Sequence, residues 1–359
     1  MSCLGGSLLT LTDHALQLLE EFRLRLSRMR GLAKFKPSEA YFGTEVGDPT
    51  HPSYHERLER INENFVSWID PGEVAPPPPS SVERDGDVLL FPSACPAGDA
   101  RVDTVALKVY PAPEGAPPAG VLFHHWIYLD GWGPVDYLLK PLTQRYRVAA
   151  MIAPHHLMRR YEGFGPGEGF LNPNVLNVFA GLRQWQADHA ACLALLSRDH
   201  GFDETVLLGS SLGGFGSLLS RMMRPVLPTV AVCVTNHLSR GVFEGVATSH
   251  LVERLWEAGF SYDSFWWATR SLHLADWAPH IGGHDLTWMY ARNDRIEPRD
   301  SLDEPVRALR PERIVELPGG HATAALFRER IASEVALRLE NVVARCPGSP
   351  SAAARSASA

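Results

Sequence analysis

The chain has 359 residues, 45% of them hydrophobic, with 30 glycines and 28 prolines, so it holds enough apolar surface for a large core and lacks the composition of a disordered protein. A formal net charge of −7 argues against non-specific binding to nucleic acid or to an anionic membrane. Five scattered cysteines, Cys3, Cys95, Cys192, Cys233 and Cys346, form no Cys-x-x-Cys pair and so suggest neither a disulfide framework nor a cysteine zinc site.

Leu16, Leu19, Phe22, Leu26 and Met29 recur at steps of three and four behind Thr12 or Asp13 as N-cap, which predicts an amphipathic helix over 13–30 whose stripe must be covered. Arg23, Arg25, Arg28, Arg30, Lys34 and Lys36 read as its solvated side. Acidic residues among the leucines argue against a secretory signal, and no apolar run reaches the ~18 residues of a membrane span, so a cytoplasmic protein is expected. A second helical stretch is predicted over 53–69, followed by an extended spacer at Pro76–Pro79. These features divide the chain into a helical extension over 1–80, a main body over 81–345 and a disordered serine and alanine tail over 346–359.

In the body, β-prone runs are read at Val88–Phe91, Thr104–Tyr110, Gly120–Phe123, Val148–Ile152, Thr205–Leu208, Thr229–Val234, Leu286–Ala291 and Arg313–Leu317. The later runs alternate with helical stretches at Leu176–Arg198, Leu212–Met223 and Ala324–Val343. Such alternation predicts an α/β fold with about eight strands, mostly parallel, and helices on both faces.

Thr205–Leu208 delivers the chain into Gly209-Ser210-Ser211-Leu212-Gly213 and then directly into a helix. A G-x-S-x-G sequence between strand and helix is the signature of a nucleophile elbow, which makes Ser211 the candidate nucleophile and the Leu212 amide a candidate oxyanion donor. A serine hydroxyl needs an imidazole to take its proton, and the imidazole needs a carboxylate to orient it. Asp294 falls just past the strand Leu286–Ala291, and His321 follows Arg313–Leu317 in a Gly319-Gly320-His321 loop. Asp285, Glu297, Asp300 and Asp303 compete for the acid role; Asp285 sits at the wrong end of its strand, and the others lie later in the turn. A second Gly-Gly-His, ending at His284, precedes its strand and reads as structural.

With Ser, Asp and His in this order, residues 87–343 resemble the α/β-hydrolase superfamily. The resemblance implies that fold, Ser211 as nucleophile, His321 as general base and then acid, and Asp294 as the orienting carboxylate. A looser likeness, carried by Pro154–Arg160, Gly167–Leu171 and Gln184–Asp188, is to an uncharacterised bacterial group related to eukaryotic abhydrolase-domain-containing proteins.

In this fold the second oxyanion amide follows the third strand, which points to His125 or Trp126, His125 standing where a glycine is usual. The pairs His124-His125 and His155-His156 fall just past strand ends; neighbours on an extended segment point opposite ways, so they read as shaping the pocket mouth, with no metal expected. Arg159 and Arg160 read either as binding a substrate carboxylate or phosphate or as a loop salt bridge. The stretch 236–284 is too long for a simple connection and predicts a helical cap whose aromatics, Trp266 and Trp267 among them, line an apolar pocket or hold the insertion to the body. Taken together, these residues predict a serine hydrolase acting on an ester or thioester of a small acyl-bearing molecule, without cofactor or nucleic acid. Acyl transfer, peptide cleavage and a non-catalytic scaffold remain as alternatives.

Overall fold

Continuous apolar runs such as Val121-Leu122-Phe123 and Val206-Leu207-Leu208 have no polar face to turn to water, so each must be covered on both sides. The computed structural model, which describes Ala15 and residues 52–70, 78–245, 248–297 and 299–345, shows how this is done. Apart from Ala15, the helix expected over 13–30 lies outside the described residues, as does the tail beyond 345.

Nine strands form one sheet among the described residues: β1 Glu83–Asp85, β2 Val88–Pro92, β3 Thr104–Val109, β4 Ala119–His124, β5 Arg147–Met151, β6 Glu204–Ser210, β7 Thr229–Val232, β8 Leu286–Ala291 and β9 Arg313–Leu317. Their order is β1-β2-β3-β5-β4-β6-β7-β8-β9. Pairing is antiparallel from β1 through β3 to β5 and parallel from β5 onward. The sheet therefore has one strand more than the eight expected. The addition, β1, is a fully exposed Glu-Arg-Asp edge, a charged strand that protects the sheet from pairing with other edges.

Alternate strand residues feed two cores. Leu122 and Leu207 face a core with α1 Pro52–Glu63, α2 Phe65–Ile69, α4 Val175–His200 and α5 Leu212–Met223. Val121, Phe123, Val206 and Leu208 face the other, with α3 Gly133–Thr143 and α11 Arg328–Arg345. The segment 52–69 is seated in the first core through Tyr54, Leu58, Phe65 and Ile69. The Tyr54 hydroxyl also accepts the Val175 amide at 2.8 Å, occupying a donor at the start of α4 that the helix itself leaves unpaired.

The insertion after β7 is helical: α6 Leu238–Phe243, α7 Ser249–Glu257, α8 Tyr262–Ala268, two 3₁₀ turns and α9 Ala278–Ile281 precede β8, and α10 Arg299–Leu309 follows it. No helix among the described residues is long and apolar enough to cross a membrane.

Candidate active site

Parallel strands β4 to β9 all end at the same edge of the sheet, so the loops that follow them converge. Chain from β6 enters α5 through a reversal at Ser211, whose φ of 56° and ψ of −119° lie in a region that costs a non-glycine residue about 1–3 kcal/mol. The flanking glycines make this tight turn possible. A Cβ on Gly209 would sit 2.2 Å from the Gly213 carbonyl oxygen, and one on Gly213 would sit 2.0 Å from that of His124. The backbone of the elbow thus rests directly on the end of β4.

At this edge Ser211 Oγ lies 2.7 Å from His321 Nε2, and His321 Nδ1 lies 2.8 Å from Asp294 Oδ2. The Asp294 side chain is oriented in turn by the Ile296 and Glu297 amides, which donate to Oδ1 at 2.9 and 2.8 Å. With Nδ1–H donating to the carboxylate, Nε2 is left to accept the serine proton. The structure brings Ser211, His321 and Asp294 into one hydrogen-bonded line across three separate loops. Three of the four competing acids lie elsewhere or face differently. Asp285 is tied to Arg345 and Arg338 at the far end of β8, together with the exposed His284; Asp300 pairs with Arg240; and Glu297 is buried without reaching the imidazole.

The Leu212 amide belongs to the first turn of α5, where no carbonyl of its own helix faces it. The loop after β4 is held by the His125 ring: the Ala153 amide donates to Nε2 at 3.1 Å, so Nδ1 carries the proton and donates to the Trp126 carbonyl at 2.7 Å. Burial pushes the pKa of this ring down to about 4, which keeps it neutral, and the two hydrogen bonds choose the tautomer. His125 therefore staples the loop to the end of β5.

The remaining paired histidines are placed in the interior rather than at a pocket mouth. Ser217 gives its proton to the Gly213 carbonyl and receives one from His124 Nδ1 at 3.0 Å, which leaves His124 Nε2 to accept from His189 Nδ1 at 3.1 Å. This buried relay braces the elbow helix against β4 and α4. Sequence reading missed it, because His189 is 65 residues from His124 and carries no local signal. His155 and His156 are buried beside Tyr161 and Phe170. Two groups of three metal-donor atoms fall within 4.8 Å among the described residues, Cys233 with Asp294 and His321, and His284 with Asp285 and Glu312. Neither includes a paired histidine.

Of the two arginines, Arg159 is structural. It is fully buried, pairs with the equally buried Asp188 at 2.6 Å and donates to the Val102 and Ile152 carbonyls. Ser93 Oγ donates to the second Asp188 oxygen at 2.5 Å. Burial raises the Asp188 pKa, and Arg159 and Ser93 oppose that rise. Arg159→Met is expected to strand this carboxyl and destabilise the fold by about 3–5 kcal/mol, measured by urea unfolding; a loss below about 1 kcal/mol would show the pair to be dispensable. Arg160 instead lines an open depression of about 590 Å³ with Arg101, Met158, Tyr161 and Phe164, to which none of Ser211, Asp294 and His321 contributes.

Among the insertion's aromatics, Trp277 and Trp267 reach residues outside it. Trp277 packs on Phe215 and Phe65 at centroid distances of 4.9 and 5.9 Å, and Phe265 meets Phe243 and Phe260. Trp267 lies against His55 and Arg270, and Trp266 is exposed.

No protein-family model matches the chain, and no curated protein does. Among solved structures, acetyl xylan esterase from Paenibacillus sp. R4 is similar with a TM-score of 0.54 at 12% identity, over 80% of this chain and 95% of that one. Acetyl Xylan Esterase 1 from Thermoanaerobacterium sp. JW/SL YS485 is similar with a TM-score of 0.51 at 16% identity, over 84% of this chain and 99% of that one. These likenesses, the strand order and the strand-turn-helix at Ser211 show that the chain has the α/β-hydrolase fold.

Proposed function

We propose that this protein is a serine hydrolase that cleaves a carboxylic ester or thioester through an acyl-enzyme. The observation that carries this reading is the unbroken line from Ser211 Oγ through His321 to Asp294, set on a strained elbow. Ser211 Oγ attacks the acyl carbon while its proton passes to His321 Nε2, and the imidazolium so formed is paired with Asp294. The oxyanion is received by the Leu212 amide together with that of His125 or Trp126. Collapse expels the alcohol or thiol with the proton from His321; water then attacks the acyl-enzyme by the same route and releases the acid. Both fold neighbours are named as esterases, which agrees with this reading. A cytoplasmic setting is part of this reading, in keeping with five scattered cysteines that form no Cys-x-x-Cys pair.

The test is labelling by a fluorophosphonate followed by peptide mapping, together with turnover of esters and thioesters of increasing acyl length. Adduct on Ser211 and hydrolysis of at least one series are expected. An unlabelled, inactive but folded protein would leave a scaffold as the better reading.

A further inference from the structure

Glu297 is a buried acidic side chain beside the triad with no place in the hydrolytic steps. It follows Asp294 by three residues, and its amide donates to Asp294 Oδ1. Its carboxyl turns inward and is only 1% exposed. Neither oxygen has a hydrogen-bond partner among the described residues; the Asn236 amide is near enough to favour the charged form but short of hydrogen-bond geometry. On the far side stands the insertion: a Cβ on Gly241 of α6 would sit 2.8 Å from Glu297 Oε1, so the helix backbone rests on the carboxyl itself. A buried carboxylate without donors costs several kcal/mol, whereas a neutral carboxylic acid of the same shape costs far less.

We propose that Glu297 is a positioning residue for the triad acid: as an uncharged carboxyl it fills the joint between the Asp294 turn and the Gly241 face of the insertion, and the joint holds only while it stays uncharged. The proposal rests on the hydrolase reading. The groups that bear on Glu297 are Asp294 from its own turn, His321 from the loop after β9, the Asn236 amide from the loop after β7 and Arg240 from α6. Arg240 is itself engaged by Glu244 and Asp300. Burial first, and then the Asp294 charge, push the Glu297 carboxyl up to about 8; His321, the Asn236 amide and Arg240 oppose the shift. At neutral pH the group is therefore mostly protonated. Above that range it carries a charge that the joint cannot pair, and the turn holding Asp294 is the element it displaces.

The experiment compares wild type with Glu297→Gln, which keeps the shape and cannot ionise, and with Glu297→Ala, which empties the joint. Wild-type kcat should fall about tenfold between pH 7 and pH 9, following the protonated fraction of a group titrating at about 8. In Glu297→Gln the same ratio should stay within about twofold, and in Glu297→Ala kcat should fall at every pH with little change in KM.

Melting temperature gives a readout independent of turnover. Because the folded value lies above that of the unfolded chain, the stability linked to this proton is full below about 4.5 and is lost as pH climbs to about 8. Wild type should therefore lose several degrees relative to Glu297→Gln between pH 5 and pH 8, with no further divergence above that range. A wild-type profile without the alkaline limb, a limb retained in Glu297→Gln, or parallel melting curves would overturn the proposal while fluorophosphonate labelling still stood. Absent turnover with diverging melting curves would instead remove the hydrolase reading and leave the buried uncharged carboxyl in place.

Discussion

Ser211→Ala is expected to abolish fluorophosphonate labelling and to lower kcat on any ester that wild type turns over by about 10⁶, the scale seen when a triad nucleophile is removed. Only Oγ is lost, and its partner in the structure is His321 Nε2. The elbow itself is fixed by backbone: the Ser211 amide donates to the Val232 carbonyl at 2.8 Å, and the Phe215 amide returns to the Ser211 carbonyl at 3.1 Å. The variant should therefore fold as wild type does, with a melting temperature within a few degrees. A small rate over water should survive, because the oxyanion amides and the binding surface are untouched. Adduct on a different serine of the variant, or undiminished turnover, would show that the reacting hydroxyl is not Ser211.

The sequence carried the parts of this structure that depend on local pattern. Eight of nine strands were legible because uninterrupted apolar runs between helices have no other explanation, and α5 was placed at the residues where it occurs, Leu212–Met223. The ninth strand was invisible because Glu83-Arg84-Asp85 has neither hydrophobicity nor β-branching and is ordered only by pairing with β2. Ser211, Asp294 and His321 could be named in advance because each sits at the boundary between a strand and the loop after it, a position that chain order reveals. Side-chain environment could not be read the same way. A histidine at a strand end looks alike whether it faces a ligand or, as with His124, a second imidazole contributed by α4. Trp277 finds Phe65 and Phe215 from segments more than 60 residues away, so nothing near it in sequence marked it as an anchor rather than a pocket wall. The orphaned carboxyl of Glu297 belongs to the same class: what it meets, the Gly241 face of α6, comes from a segment more than 50 residues earlier in the chain.

That same turn decides what Asp294→Asn should do. In wild type, Oδ1 is committed to two backbone donors, the amides of Ile296 and Glu297, and only Oδ2 faces His321 Nδ1. An asparagine in this turn must keep its oxygen on the two amides, since turning its NH₂ toward them would set donor against donor. The NH₂ then faces Nδ1, which is forced to accept. The imidazole proton moves to Nε2, the atom 2.7 Å from Ser211 Oγ, and a protonated Nε2 cannot take the serine proton. With the geometry preserved and the tautomer reversed, kcat should drop by about 10⁴, while the melting temperature stays close to that of wild type. Carbon-detected or long-range nitrogen NMR of His321 would show the proton exchanged between the ring nitrogens. A loss under tenfold in Asp294→Asn, set beside a loss near 10⁴ in Glu297→Gln at neutral pH, would make Glu297 the orienting acid and would place the working histidine in a geometry other than the one seen here.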